Sequence, residues 1–313
     1  MRVGFAGTPA FAVRALASIH TEGFTIPVVL TQPDRPSGRG LAIAPSPVKR
    51  YAADHDLPLL QPVSLKPDAV QAALRRVPID VLVVAAYGLI LPQPVLDWPR
   101  HGCLNIHASL LPRWRGAAPI ARALEAGDAV SGITVMLMDA GLDTGPIVTK
   151  KPLAIDSRES LGTLTDRLAI LGASMIVDAL RMLERDAVLP ATPQPSDGAT
   201  YATKLARADT LIDWTQDAVA LDRRIRALAP SPGALAGWRG KVVKIHAAFP
   251  IDSGIVAPAG SVIGAGTRGI DVACGSGALR LTQLQPAAGR SMPAHAFAAG
   301  HRVGIGDCFE PGR

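Results

Sequence analysis

The sequence predicts an α/β fold in two parts: a Rossmann-like domain with a mostly parallel sheet, then an OB-like β-barrel. Three observations carry that expectation. Through the first half, short runs rich in Val, Ile and Leu alternate with segments of helical period, the pattern of crossover units on a parallel sheet covered on both faces. A breaker-rich stretch from Leu189 to Gly198, with three prolines, interrupts that pattern. Beyond Pro230 the chain becomes short apolar runs cut by Gly and Pro, as in small barrels.

In order, residues 3–6, 27–31, 81–86, 103–107 and 133–138 are the expected strands of the first domain, bounded by Gly, Pro or Asp. Helices are expected between them at residues 11–19, 46–55, 66–75 and 117–126. In the first turn, Gly4 to Pro9, Thr8 is read as the cap of a helix beginning at Pro9. The glycine spacing departs from G-x-G-x-x-G, so the turn reads as structural rather than as a dinucleotide site. A long helix follows at residues 159–185, with Leu161, Leu164, Leu168, Leu171 and Met175 on one face and Asp156 with Glu159 as its capping box. The domains are placed at 1–189 and 207–313, with 190–206 as a linker. In the second, a helix at 217–228 turns Leu221, Ile225 and Leu228 to one side, and strands are expected at 242–247, 261–264, 269–273 and 278–284.

Hydrophobic residues make up 48% of the 313 and charged residues 19%, which suits a globular chain with a sizeable core and excludes a disordered or fibrous one. The most apolar window, residues 81–91, contains Gly88 and is far shorter than the ~20 residues that cross a bilayer. With no charged leader or apolar signal region read at Met1, the expectation is a cytoplasmic chain with no membrane partner. Cys103, Cys274 and Cys308 are odd in number and scattered, which fits neither a disulfide framework nor a metal site, so no metal is expected. Of the net charge of +6, residues 207–313 hold 12 Lys and Arg against 8 Asp and Glu, or +4, which permits a polyanionic partner there.

The candidate chemistry centres on Asn105-Ile106-His107, at the end of an expected strand. Residues two apart on a strand share a face, so Asn105 and His107 converge while Ile106 packs behind them. Asn supplies a neutral N–H for an oxygen that gains charge, and His a proton donor or cationic stabiliser near neutral pH. A loop rich in Pro and Gly follows, and Asp143 lies on a second loop, Asp139 to Pro146, after the next strand. That order places Asp143 at the carboxyl edge of the sheet within reach of His107, where a carboxylate favours the charged ring.

The string NIHASLLPRWRGAAPI, with DAGLDTGPI downstream, resembles the signature of the 10-formyltetrahydrofolate-dependent formyltransferases. The opening GFAGTPAFA, the segments TQPDRPSGRG and PSPVK, the run AYGLILP and the β-rich last third are similar to the branch of that family that formylates methionyl initiator tRNA, so the likeness runs along essentially the whole chain. The resemblance implies catalytic roles for Asn105, His107 and Asp143, and 10-formyltetrahydrofolate as formyl donor. It implies that Ser109, Leu110, Leu111 and Pro112 bind tetrahydrofolate and that Tyr87, Gly88, Leu89 and Ile90 pack around the pterin. Arg39, with Arg35, falls in the loop that meets the tRNA acceptor end, and Arg223, Arg224 and Arg226 are candidate phosphate contacts in a tRNA-binding second domain. One departure stands out: after Gly40 the chain reads Leu41-Ala42-Ile43, where many relatives carry lysines. The expected assembly state is a monomer.

Three other readings stay open. A formyltransferase of the same superfamily could act on an amino sugar nucleotide or glycinamide ribonucleotide, although the latter leaves the last third unexplained. An oxidoreductase is opposed by the imperfect glycine turn and the absence of a clear acidic ribose partner. A noncatalytic RNA-binding module is opposed by the joint presence of Asn105, His107 and Asp143.

Overall fold

Residues 1–37 and 42–312 are described by a computed structural model. The chain divides into two units, the first made of Met1–Pro119, Val130–Ala154 and Thr165–Ala202, the second of Ile120–Ala129, Ile155–Leu164 and Thr203 onward. The chain begins β1 (Val3–Gly7), α1 (Ala10–Thr21), β2 (Val29–Leu30), β3 (Arg35–Ser37), β4 (Ala42–Ala44), α2 (Pro47–Asp54), β5 (Leu59–Leu60), α3 (Asp68–Arg75), β6 (Val81–Ala85) and α4 (Gln93–Leu96). It continues through β7 (Cys103–His107), β8 (Arg115–Gly116), α5 (Pro119–Ala126), β9 (Val130–Leu137), β10 (Ile147–Ala154), α6 (Leu161–Asp186) and β11 (Tyr201–Ala202).

In the first unit, seven strands run in the order β10-β9-β7-β6-β1-β2-β5. The five from β7 to β5 are parallel, and β9 and β10 are antiparallel to their neighbours. The fully buried runs of β1, β6 and β7 are what strands covered on both faces require. Strand order reverses between β1 and β6, and there Thr8 Oγ1 and Gln32 Nε2 both donate to the Tyr87 carbonyl, at 3.0 and 2.9 Å. Thr8 is therefore committed across the switch point, and α1 starts after Pro9 without a side-chain cap. By contrast Ser46 caps α2, accepting from Lys49 N at 3.0 Å with Pro47 in the first turn.

The capping box of α6 also falls elsewhere than expected. Ser160 and Thr163 exchange hydrogen bonds, Ser160 N to Thr163 Oγ1 at 3.0 Å and Thr163 N to Ser160 Oγ at 3.3 Å. Asp156 instead precedes the helix, its N–H reaching Glu159 Oε2 at 3.4 Å. No helix among the described residues is long and apolar enough to cross a membrane.

The second unit contains α7 (Ala218–Leu228), β12 (Ala234–Trp238), β13 (Lys241–Ile251), β14 (Val262–Gly266), β15 (Gly269–Ala273), β16 (Ala278–Pro286), β17 (Met292–Pro293), α8 (Ala294–His301) and β18 (Phe309–Glu310). Its sheet is antiparallel, in the order β14-β15-β16-β13-β12-β18. The two ends approach each other, Val262 N donating to Asp307 O at 2.7 Å and Phe309 N to Gly260 O at 2.8 Å, so the sheet curls into a half-barrel. Inside it Trp238 lies 4.7 Å from Phe309 and 6.0 Å from Phe297, ring centre to ring centre, with Trp214 6.0 Å from Phe309. Two of the three arginines of α7 are held within this unit: Arg226 pairs with Asp222 at 2.8 Å and Arg224 with Glu125 at 3.2 Å.

Candidate functional site

Asn105 and His107 stand on one face of β7 and Ile106 on the other. There Gly172 lets α6 approach so closely that a Cβ at that position would come within 2.8 Å of Ile106. Both polar side chains are nearly enclosed, Asn105 at 9% and His107 at 5% exposure.

Asp143 does not arrive from the carboxyl edge of the sheet, as chain order alone suggested. Because β9 is antiparallel to β7, Leu137 at its end pairs with Leu104, near the amino end of β7. The loop from Asp139 then folds back along β7. Asp139 Oδ1 shapes it by accepting from Gly141 N at 3.0 Å and Thr144 Oγ1 at 2.7 Å. Asp143 itself takes a left-handed backbone, φ 52°, which few L residues hold without support.

The Asp143 carboxylate joins the group. Oδ2 accepts from Gly116 N at 2.7 Å and lies 3.7 Å from His107 Nδ1, while Oδ1 accepts from Asn105 Nδ2 at 3.4 Å. His107 Nε2 donates to the Trp114 carbonyl oxygen at 2.8 Å. A carbonyl oxygen only accepts, so Nε2 is the donor there, and Nδ1 is turned to the Asp143 carboxylate. Chemically this is an imidazole fixed beside a carboxylate and a neutral amide donor, an arrangement suited to charge developing on a carbonyl oxygen.

The other sequence candidates divide. Ser109 is buried, its Oγ donating to Arg113 O at 2.6 Å, and Leu111 N donates to the buried Thr134 Oγ1 at 3.1 Å. These groups hold their own loop, leaving the half-buried Leu110 and Pro112 as its outer parts. Tyr87 turns its ring into the core, where burial pushes the phenol well above its ordinary range. Gly88 and Ile90 are exposed and Leu89 half-buried, and among the described residues the backbone of 89–91 makes no hydrogen bond to the rest of the chain. Arg35 is exposed on β3, which pairs with β4; Arg39 and Leu41 lie outside the described residues.

Sequence reasoning missed three groups that complete the site. The Trp114 carbonyl and the Gly116 N–H lie inside the quoted signature but act through the backbone, which residue type does not reveal. Gln194 donates to Asp143 O at 2.9 Å and Gly145 O at 2.8 Å and accepts from Arg115 Nη2 at 2.8 Å. It lies in a breaker-rich stretch with no periodic signal.

Residues 1–180 match the Formyl transferase family, and residues 204–302 match Formyl transferase, C-terminal domain. The chain belongs to the formyl transferase family. Among relatives of this formyl transferase, methionyl-tRNA formyltransferase of Burkholderia ambifaria is 54% identical over 318 residues, covering 99% of this chain and 97% of that protein. The fold is shared at low identity with HypX from Aquifex aeolicus in complex with tetrahydrofolic acid (TM-score 0.69, 16% identity, 97% of this chain). The chain spans about half of that protein, 48%. It is shared as well with the N-formyltransferase from Helicobacter canadensis in complex with folinic acid and dTDP-3-aminofucose (TM-score 0.67, 14% identity, 89% of this chain and 98% of that one).

Proposed function

We propose that this enzyme transfers the formyl group of 10-formyltetrahydrofolate to the α-amine of methionyl initiator tRNA, acting in the cytoplasm as a monomer. The observation that carries the proposal is the meeting of Asn105, His107 and Asp143 on one face of β7. It occurs in a chain 54% identical to a methionyl-tRNA formyltransferase along nearly its whole length. The dTDP-sugar enzyme shares 14% identity, which favours tRNA over an amino sugar as acceptor.

In this reading the amine attacks the formyl carbon directly. With a pKa of ~8 it is partly neutral at cellular pH and needs no strong base. As the carbon becomes tetrahedral its oxygen gains charge, which Asn105 Nδ2 meets as a donor and His107 meets as a cation. His107 keeps its place because Trp114 O and Asp143 hold its two nitrogens. Asp143 holds that ring and passes the proton from the attacking amine, through water, to the folate nitrogen as the old C–N bond breaks. Tyr87 to Ile90 and Ser109 to Pro112 lie beyond the carboxyl ends of the adjacent strands β6 and β7 and form the folate pocket, offering backbone groups and the Leu89, Ile90 and Leu110 side chains.

Residues 1–189 are the catalytic domain, 190–206 join it to the second, and 207–313 add the tRNA platform. Arg39 and Arg35 hold the acceptor end, and phosphate contacts make binding fall with salt. Among the described residues Arg224 and Arg226 are paired with carboxylates, which leaves Arg223 as the arginine of α7 to meet phosphate. The test is a substrate panel with 10-formyltetrahydrofolate as donor: methionyl initiator tRNA, an amino sugar nucleotide and glycinamide ribonucleotide. Formyl transfer to the tRNA alone supports the proposal. Transfer to either small acceptor but not to tRNA overturns it.

A further inference from the structure

The stretch after α6 does more than connect. Thr192 and Ile147 exchange backbone hydrogen bonds, at 2.8 and 2.9 Å, immediately past the Asp143 loop. Gln194 follows, with its Nε2 on the carbonyls of Asp143 and Gly145 and its Oε1 on Nη2 and Nε of Arg115, at 2.8 and 3.2 Å. Further on, Thr200 Oγ1 accepts from Trp114 N at 2.9 Å and Thr200 O accepts from Arg115 N at 2.9 Å. Trp114 supplies the carbonyl that holds His107, and Gly116 the N–H that holds Asp143. One strap therefore grips both loops that flank the His107–Asp143 pair.

We infer that Gln194 is a positioning residue for formyl transfer, tying the Asp143 loop to Arg115 so that the carboxylate stays against His107. The inference rests on the reading of the site given above. Asp143 holds a left-handed backbone, and a carbonyl anchored from outside is the support such a conformation requires. A primary amide is the one side chain of this length that offers two donors to two carbonyls and an acceptor to a guanidinium at once. Glutamate at 194 keeps the acceptor for Arg115 but sets an oxygen against the carbonyls of 143 and 145. Methionine keeps the length and the packing and makes neither bond. A loss of position of ~1 Å in a catalytic group costs ~100-fold in rate.

The experiment uses Gln194→Met and Gln194→Glu in the full chain, with single-turnover formylation of methionyl initiator tRNA. Wild type must transfer first; if it does not, the reading of the reaction fails and not this inference. Each variant is expected to lose ~30- to 100-fold in rate, with KM for both substrates within ~3-fold and the melting temperature close to wild type. Because Gln194 acts through Asp143, Gln194→Met is expected to add less than ~3-fold in an Asp143→Asn background. Amide exchange gives a readout independent of turnover: residues 139–146 exchange faster in Gln194→Met while β6 is unchanged. A variant rate within ~3-fold of wild type, a full multiplicative loss in the Asp143→Asn background, or unchanged exchange in 139–146 would each overturn the inference.

Discussion

Gly145 offers a test of how tightly the Asp143 loop must be held. A Cβ built at Gly145 falls on the Leu137 carbonyl oxygen, far inside van der Waals contact, and also within 3.3 Å of Asp139 N. Both neighbours are backbone, so no side-chain rotation relieves the clash, and the loop must move away from β9 by about 1 Å. It has little freedom to do so, because Gln194 holds the carbonyls of 143 and 145 at 2.9 and 2.8 Å. Overpacking of this kind costs about 1–3 kcal/mol of stability, and displacing Asp143 by ~1 Å costs ~100-fold in rate. Gly145→Ala is therefore expected to fold with a lowered melting temperature and to transfer formyl groups ~100-fold more slowly, with folate and tRNA affinities little changed. Gly266→Ala serves as the control, since a Cβ there meets nothing within 4 Å. Single-turnover formylation beside thermal melts measures both effects. A Gly145→Ala enzyme within ~3-fold of the wild-type rate would refute the argument that the loop's position limits the reaction.

Two further outcomes follow from burial and charge. Burial pushes the thiols of Cys103 and Cys274 up to about 12, with Asp97 and Asp217 adding to it, while Cys308 is exposed. At pH 8 a thiol reagent is expected to label one cysteine in the native protein and three after unfolding; two rapid native labels would contradict the buried placement of the others. Asp80 accepts from Arg2 N at 2.7 Å, and that bond, with the Arg2 guanidinium, holds its carboxyl below the ordinary carboxylate range against the opposing effect of burial. A depressed carboxyl stabilises the fold above its unfolded pKa and loses that contribution as pH falls through the folded value. Asp80→Asn should thus melt below wild type at pH 7, the gap closing as pH drops below ~4. A gap that persists undiminished at pH 2–3 would contradict it.

The sheet was legible because its central strands are buried on both faces. The runs VGFAG, VLVVA and CLNIH can be read without knowing their partners. Strand β10 was not, since an edge strand reading IVTKKPLA has no alternation to detect and tolerates Pro152 where no ladder bond is needed. Helix α8, AHAFAAGH, is too rich in small residues to show a period, and β12, ALAGW, was hidden in the same way. At the site, Asn105 and His107 followed from strand alternation alone. The approach of Asp143 did not, because it depends on β9 running antiparallel, which no local pattern announces. Thr8 had the residue type of a cap but found a better partner in the Tyr87 carbonyl across the switch point. Gln194 and the Trp114 carbonyl were invisible for the same reason: their roles are set by tertiary contact rather than by residue pattern.

The most direct test of the central claim is single-turnover formylation of methionyl initiator tRNA by wild type, Asn105→Ala and His107→Ala, with binding of folate and tRNA measured in parallel. Wild type is expected to transfer, each variant to fall by ~100- to 1000-fold, and both ligands still to bind. Variants that bind both substrates and turn over within ~3-fold of wild type would contradict it.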